Sequence, residues 1–201
     1  MIRLLHVLPA LGLAAAVSGC ALLATPEPVQ MYRFGASDPV TGIAPDGAVP
    51  LEMRPVQFSA VAADDLILAV TGAEAAYIGG ARWVERAQVL YQESLENVFA
   101  AEATRVRLGG RRELSHSPRV LDLDVRTFEA RYPAPGSAPT VRVAVRARMI
   151  NRDDQQVVAD EVFTVDQPAT GNRVSAIVAA FDTAVLEVNR DIVRWTEARL
   201  D

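Results

Sequence analysis

Lysine is absent from this chain of 201 residues, so each of its 20 basic residues is an arginine. Without lysine the chain cannot contain the phosphate-binding loop G-x-x-x-x-G-K-S/T, the β3 lysine of protein kinases or a lysine that forms a Schiff base. The formal net charge is −5 and the isoelectric point is about 5.1. This acidic balance argues against a nucleic-acid-binding protein that works through a basic face.

Cysteine and histidine are also scarce, with one Cys and two His, His6 and His116. One Cys permits no internal disulfide, and three such residues are too few for a zinc site of Cys and His. His116 lies between two predicted strands, and the G-x-S-x-G motif of hydrolases with a nucleophilic serine is missing. We therefore interpret His116 as a loop residue and expect neither a catalytic triad nor a metal or cofactor site.

Acidic residues offer two further places to look for chemistry. The pairs Asp64-Asp65 and Asp153-Asp154 lack the D-x-D-x-D-G spacing of a calcium loop, so we interpret them as solvated turn residues. Carboxylates distant in the sequence could still form a glycosidase pair, and nothing in the sequence points to one. The sequence therefore predicts that the protein is not an enzyme.

The N-terminus has the layout of a secretory signal peptide, because Arg3 precedes an apolar run from Val7 to Val17. The residues that follow resemble the lipobox of bacterial lipoproteins: Val17, Ser18, Gly19, Cys20. In such proteins the Cys thiol receives a diacylglycerol, the preceding bond is cut and the new amine is usually acylated. We predict a signal peptide over residues 1–19, lipidation of Cys20 and a tether over residues 20–30.

Two other interpretations of this segment remain open. Leu4–Ala24 is about long enough to span a bilayer as an uncleaved anchor, although Pro9 and Gly12 weaken a helix there. Residues 14–16 are all Ala and could serve an ordinary signal peptidase. The lipoprotein interpretation alone explains why the single Cys lies where the apolar run ends. Ala21, in place of Asp, resembles the outer-membrane address of the best-known lipoprotein sorting system.

Hydrophobic spacing in the remainder predicts one α+β domain over residues 31–201. We expect a mostly antiparallel sheet of about five to six strands with two long amphipathic helices packed on one face. The first helix is predicted over about 81–101, with Trp83 as a core anchor at its start. The second helix is predicted to follow Gly171-Asn172, with Asn172 as its N-cap. Residues 35–50, rich in Gly and Pro, are predicted to form a long loop.

Two strands of this sheet carry charges in alternation, with a change of phase near Thr127 that indicates a β-bulge. In the expected hairpin, Asp122 and Asp124 share a face with the arginines of the following strand: Arg142, Arg146, Arg148. We predict cross-strand ion pairs on a solvated face. The alternative is an arginine stripe that holds lipid headgroups or phosphate.

The order of these elements carries a resemblance to a family. A lipobox is followed by an aromatic strand at Tyr32, a helix opened by Trp83, a strand around Leu121–Val125, a Phe-centred strand at Phe163 and a C-terminal helix. This order resembles the ABC-type transport auxiliary lipoproteins, the group that contains paraquat-inducible protein C.

The resemblance implies a non-catalytic, periplasm-facing subunit of a lipid-trafficking ABC system, tethered to the outer membrane through acylated Cys20. Its implied partners are a permease, an ATPase and a mammalian-cell-entry-domain protein, all encoded separately, and a homo-oligomer is a further state that the group suggests. The competing hypothesis is a lipoprotein that itself binds a lipid or other apolar ligand in a groove between helix and sheet.

Overall fold

The structure is a computed structural model that describes residues 29–35, 46–109 and 117–200. These ranges contain nine strands and two helices. In chain order the elements are β1 (Gln30–Tyr32), β2 (Val49–Met53), β3 (Gln57–Phe58), β4 (Leu66–Thr71), β5 (Glu74–Trp83), α1 (Ala87–Glu102), β6 (Val106–Leu108), β7 (Arg119–Tyr132), β8 (Thr140–Asn151), β9 (Val157–Pro168) and α2 (Val174–Glu197).

Strand β7 is the axis of the sheet. On one side it pairs along its length with β8, and β8 pairs in turn with β9. On its other side three short strands follow one another: β2 near its start, β3 in the middle and β4 near its end. β6 lies outside β2, while β5 and then β1 lie outside β4.

The prediction of a mostly antiparallel sheet with five to six strands is confirmed only in part. The two longest pairings, β7–β8 and β8–β9, are antiparallel, but the described residues form nine strands and five of their eight strand pairings are parallel. The antiparallel pairings are the β4–β5, β7–β8 and β8–β9 pairs, whose strands are joined by short turns. The parallel strands are short and meet β7 from far away in the chain, so no turn in the sequence signals their pairing. The α+β class and the two helices are confirmed.

Both helices lie on one face of the sheet, where they bury the inward side chains of β7 and β8. Every second residue of β8 from Val141 to Met149 is fully buried on this face, and α2 packs across β8 and β9. Four aromatic rings fill the centre: Phe34, Trp83, Phe128, Phe181. The Trp83 and Phe181 rings meet edge to face with their centroids 5.3 Å apart, a favoured aromatic geometry.

The first helix begins later than predicted. α1 starts at Ala87, because the backbone is still extended at Arg86, and Trp83 is the last residue of β5. Trp83 and Ala87 are both buried and four residues apart, so their spacing imitates a helical turn across a strand-to-helix junction. The prediction of Trp83 as a core residue is confirmed, since its side chain is 1% exposed.

The second helix also differs at its start. α2 begins at Val174, and the residue before it, Arg173, provides no side-chain cap. Asn172 is therefore not the N-cap; its Oδ1 instead accepts a hydrogen bond of 3.1 Å from the Tyr132 hydroxyl. This bond ties the segment before α2 to the end of β7.

Irregularities interrupt all three antiparallel ladders. The predicted bulge is confirmed between Val125 and Thr127, where Arg126 has no partner on β8. An unpredicted one lies in β5, where Tyr77 and Arg82 pair with Leu68 and Leu66, so that four residues of β5 lie opposite one residue of β4. Gly80 in that bulge has φ +69°, which favours glycine. The third shifts the β8–β9 register near the end of β8.

Part of the predicted 35–50 loop is strand, because β2 begins at Val49. Proline at position 50 hides this strand from a sequence pattern, since proline is depleted in strand interiors. Residues 36–45 of that loop, His116, Cys20 and the rest of residues 1–28 lie outside the described residues.

Candidate interaction surfaces

The folded part of the chain begins close to the predicted anchor. β1 starts at Gln30, ten residues after Cys20. An extended chain covers at most about 3.6 Å per residue, so Gln30 lies within about 36 Å of the Cys20 backbone. The lipobox itself, residues 17–20, is outside the described residues.

The sheet face turned away from the helices carries a set of ion pairs over β7, β8 and β9, which we call the ion-paired face. Its five pairs are Arg126–Asp124, Arg131–Glu129, Arg142–Asp166, Arg146–Asp160 and Arg148–Asp122. Only one of the two predicted acidic residues reaches across to β8: Asp122 pairs with Arg148 at 2.5 Å. Asp124 pairs instead with Arg126 of its own strand.

Two of these arginines hold their partners in the charged form. Hydrogen bonds from Arg142 and Arg146 lower the pKa of Asp166 and Asp160, and the same bonds raise the pKa of the two guanidinium groups. Arg142 donates to both carboxylate oxygens of Asp166 at 2.5 Å. Bidentate contact of this kind is the strongest geometry that the two groups can adopt.

The ion pairs decide between the two interpretations of the arginine stripe. Each of Arg142, Arg146 and Arg148 already contacts a carboxylate on a neighbouring strand. A phosphate or headgroup would have to compete with that partner, so the stripe fits a solvated, internally neutralised face. Asp122 is the most buried member, at 2% exposure, with Oδ1 unpartnered.

The two acidic pairs singled out in the sequence are turn residues, as predicted. Asp65 pairs with Arg82 at 2.9 Å, and the carbonyl of Asp64 accepts the Ala87 amide at the start of α1. Asp154 accepts the amide of Gln156 within the β8–β9 turn. Over residues 29–35, 46–109 and 117–200, no three His, Cys, Asp or Glu side chains are grouped so that they could hold a metal ion.

An apolar patch lies on the other half of the same sheet face, around β1 and β5. We define the apolar patch as four side chains that are each about half exposed: Val29, Met31, Val61, Tyr77. Met31 of β1 pairs with Arg82 of β5. Trp83, which follows Arg82 in the strand, is buried, so the Arg82 and Met31 side chains point to the opposite face of the sheet. Tyr77 lies on the same face. On β4, Leu66 pairs with Arg82 and Leu68 pairs with Tyr77, and residues two apart in a strand point to the same side.

The turn before β4 completes this patch. The Tyr77 hydroxyl donates a 3.1 Å hydrogen bond to the carbonyl of Val61, which brings the backbone of the exposed Val61 to the end of the tyrosine side chain. Sequence reasoning missed the patch, because the residues around Tyr77 show no alternation and the bulge in β5 decides which face they join.

A shallow, open cavity of about 310 Å³ lies on the helix side of the sheet, beyond the start of α2. Its walls come from β4, β5 and the β7–β8 turn: Ala69, Thr71, Glu74, Ala76, Ile78, Tyr132, Pro135, Gly136. Small side chains on β4 and β5 leave this space open. The volume is at the lower end of the range for small-molecule sites.

A buried polar contact joins the two helices. Asn189 Nδ2 donates to Ser94 Oγ at 3.1 Å, and both residues are buried. Gly35, the residue after the first aromatic of the core, packs against the same Ser94, and its amide donates to Asp182 Oδ1 at 2.7 Å. This joint connects the segment after β1 to both helices.

These features define a class of protein. It is an α+β domain with a mixed sheet, and its described surface carries an apolar patch and many charged side chains that form ion pairs. Among the described helices none is long and apolar enough to cross a membrane. The sequence model of the ABC-type transport auxiliary lipoprotein component matches residues 32–193. The chain belongs to this family, as the order of its elements indicated.

Solved structures agree with this assignment. Protein XCC0632 from Xanthomonas campestris is 26% identical, with a TM-score of 0.69 over 85% of this chain and 95% of that chain. The hypothetical protein CT253 from Chlamydia trachomatis is 11% identical, with a TM-score of 0.56 over 75% of this chain and 96% of that chain, and this likeness shows the fold alone. No curated protein matches the sequence.

Proposed function

We propose that this protein is the outer-membrane-anchored, non-catalytic auxiliary subunit of an ABC system that moves lipid between membranes. Family membership over residues 32–193 carries the proposal. The lipobox at residues 17–20 supports the anchor, and Ala21 supports the outer membrane as its location. The transported lipid and the mammalian-cell-entry-domain partner are proposed from the family resemblance.

The mechanism that we propose is tethering. Two or three acyl chains on Cys20 hold the domain stably at the membrane, whereas one chain would hold it only marginally. The short reach from Cys20 to Gln30 confines the domain to a thin layer at that surface. Confinement raises the effective concentration of the domain for any partner that reaches the membrane, so weak protein contacts are sufficient.

The absence of lysine is consistent with a non-catalytic subunit. A phosphate-binding loop needs its lysine, so ATP hydrolysis has to occur on a separately encoded chain. The auxiliary subunit would hold the transport system at the membrane and provide surfaces that its other subunits contact.

The test compares wild-type protein with Cys20→Ala by membrane fractionation and by crosslinking in intact cell envelopes. We expect the variant to leave the outer-membrane fraction and to lose its crosslinks to the permease–ATPase complex or its mammalian-cell-entry-domain partner. Ser18→Ala is the matched control, because it keeps a small residue in the lipobox and should be lipidated normally. A Cys20→Ala protein that stays membrane-bound and fully functional would contradict the anchor.

A second candidate function rests on the 310 Å³ cavity beside Tyr132. In this alternative the protein itself binds a lipid or another apolar ligand, in a cavity formed by strands and the β7–β8 turn rather than in the expected groove between helix and sheet. Native mass spectrometry of acyl-free protein (residues 21–201) separates the two functions, because a lipid that co-purifies favours direct carriage. Ala76→Leu, which narrows the cavity, should then abolish co-purification.

A further inference from the structure

We propose that the apolar patch is the part of the domain that lies against the lipid surface to which Cys20 is anchored. The patch is formed by Val29, Met31, Val61 and Tyr77, each between 46% and 55% exposed. This inference rests on the anchor in the proposed function and adds an orientation to it. Clustered exposed apolar side chains mark a contact surface. The other exposed large apolar residues among those described are valines outside the patch: Val84, Val157, Val158, Val162.

The path of the chain selects the lipid surface as the occupant. Val29 and Met31 belong to the patch and are also the first residues of the folded part that follow the tether. Val29 is nine positions after Cys20 in the sequence, which allows at most about 32 Å between them. The patch is therefore held near the bilayer by the covalent structure of the chain.

The size of the patch also favours lipid over a second protein. A stable protein–protein interface takes roughly 20–30 residues from each side. The patch supplies four half-exposed apolar side chains, so a protein partner would need many further contacts around it. A lipid surface makes no such demand, because the acyl chains supply the affinity and the patch only has to select an orientation.

The other half of the same sheet face is unsuited to this role. Its five ion pairs would have to be removed from water, which is costly for charged groups even when they are paired. The patch is bordered by one described ion pair, Arg82–Asp65. The ion-paired half also faces a different direction from the patch. Four steps from β5 to β9, each twisted by about 20–25°, turn the face by roughly 80–100°.

The test places a tryptophan in each half of the face. Tyr77→Trp puts the probe in the patch, and Val162→Trp puts it at an equally exposed position on β9, at 51% exposure. The native Trp83 and Trp195 are buried, at 1% and 5% exposure, so the emission of the parent protein is subtracted. The lipidated protein is reconstituted in vesicles of phosphatidylethanolamine and phosphatidylglycerol whose acyl chains are brominated near the headgroup.

We expect a blue-shifted added emission for Tyr77→Trp and the loss of most of it to bromine, with neither effect for Val162→Trp. Equal quenching of the two probes, or none for Tyr77→Trp, would overturn the orientation. A Tyr77→Trp probe that is shielded from both bromine and aqueous acrylamide would overturn it in favour of a covering protein, such as a second copy.

Flotation of the same vesicles reports on the anchor separately. Protein that floats but shows no quenching at position 77 contradicts the orientation and leaves the anchor intact. Protein that fails to float contradicts the anchor itself, and with it both proposals.

Discussion

Gly35→Ala tests whether the segment after β1 is locked onto the helices as the structure describes. Gly35 has φ +66°, where an L side chain is strained by about 1–2 kcal/mol. A Cβ atom at this position would lie 2.4 Å from Ser94 Cβ and 2.5 Å from Ser94 Oγ, well inside contact distance. Ser94 is buried and held by Asn189, so it has little room to move.

Relieving such a clash in a packed interior costs about 1–3 kcal/mol. With the backbone strain, Gly35→Ala should lower the free energy of unfolding by about 2–5 kcal/mol. The measurement is urea unfolding of the acyl-free protein, residues 21–201. A loss of this size is a large fraction of the stability of an ordinary domain.

Gly72→Ala is the control that separates the two contributions. Gly72 has φ +58°, and a Cβ atom there would meet nothing within 4 Å. This variant should therefore lose only the backbone part, about 1–2 kcal/mol. Equal losses for the two variants would refute the close packing of Gly35 on Ser94.

Two further predictions concern the core and the ion-paired face. Phe181→Ala removes a fully buried ring and should cost about 3–5 kcal/mol in urea unfolding, whereas Val162→Ala, half exposed on β9, should stay within about 0.5 kcal/mol. The lowered pKa values of Asp160 and Asp166 in the folded protein mean that their stabilising effect is complete above the unfolded value of about 3.9. This stabilisation is lost as the pH falls below about 4 towards the lower pKa values of the folded protein, so the free energy of unfolding should decrease over that pH range. Arg142→Gln should make stability less sensitive to pH in that range; an unchanged acid limb would count against the ion pair.

The half of the fold built on β7, β8 and β9 can be predicted from the sequence. These strands are 12 to 14 residues long and joined by short turns, so alternation reveals both their register and their outward charges. The bulge at Arg126 is visible as a change of phase. Local patterns are sufficient where the pairing itself is local.

The other half cannot be predicted in this way, because its pairing is not local apart from the β4–β5 pair. β2, β3 and β4 are two to six residues long and reach β7 across more than sixty residues of chain. In β5, a bulge of four residues opposite one residue of β4 breaks any regular alternation. The sequence places Trp83 correctly in the core and wrongly on a helix. Trp83 ends β5 and Ala87 begins α1, but two buried residues four positions apart look like one face of a helix.

The same contrast explains which surface features the sequence reveals. Charges that alternate along two neighbouring strands are sufficient, by themselves, to indicate an ion-paired face. The apolar patch has no such signal, because its members come from the end of the tether, β1, a turn and a bulged strand that only the fold brings together.

The two halves also differ in how they would respond to a bilayer. The ion-paired face carries five positive and five negative groups, so it has a pattern of charge with no net charge. Such a face is neither drawn to anionic headgroups nor strongly repelled by them. Burial of apolar surface does not need opposite charges and is only weakly screened by salt. Once Cys20 holds the chain at the membrane, orientation would therefore depend on the side chains around Tyr77, and ionic strength would have little influence on it.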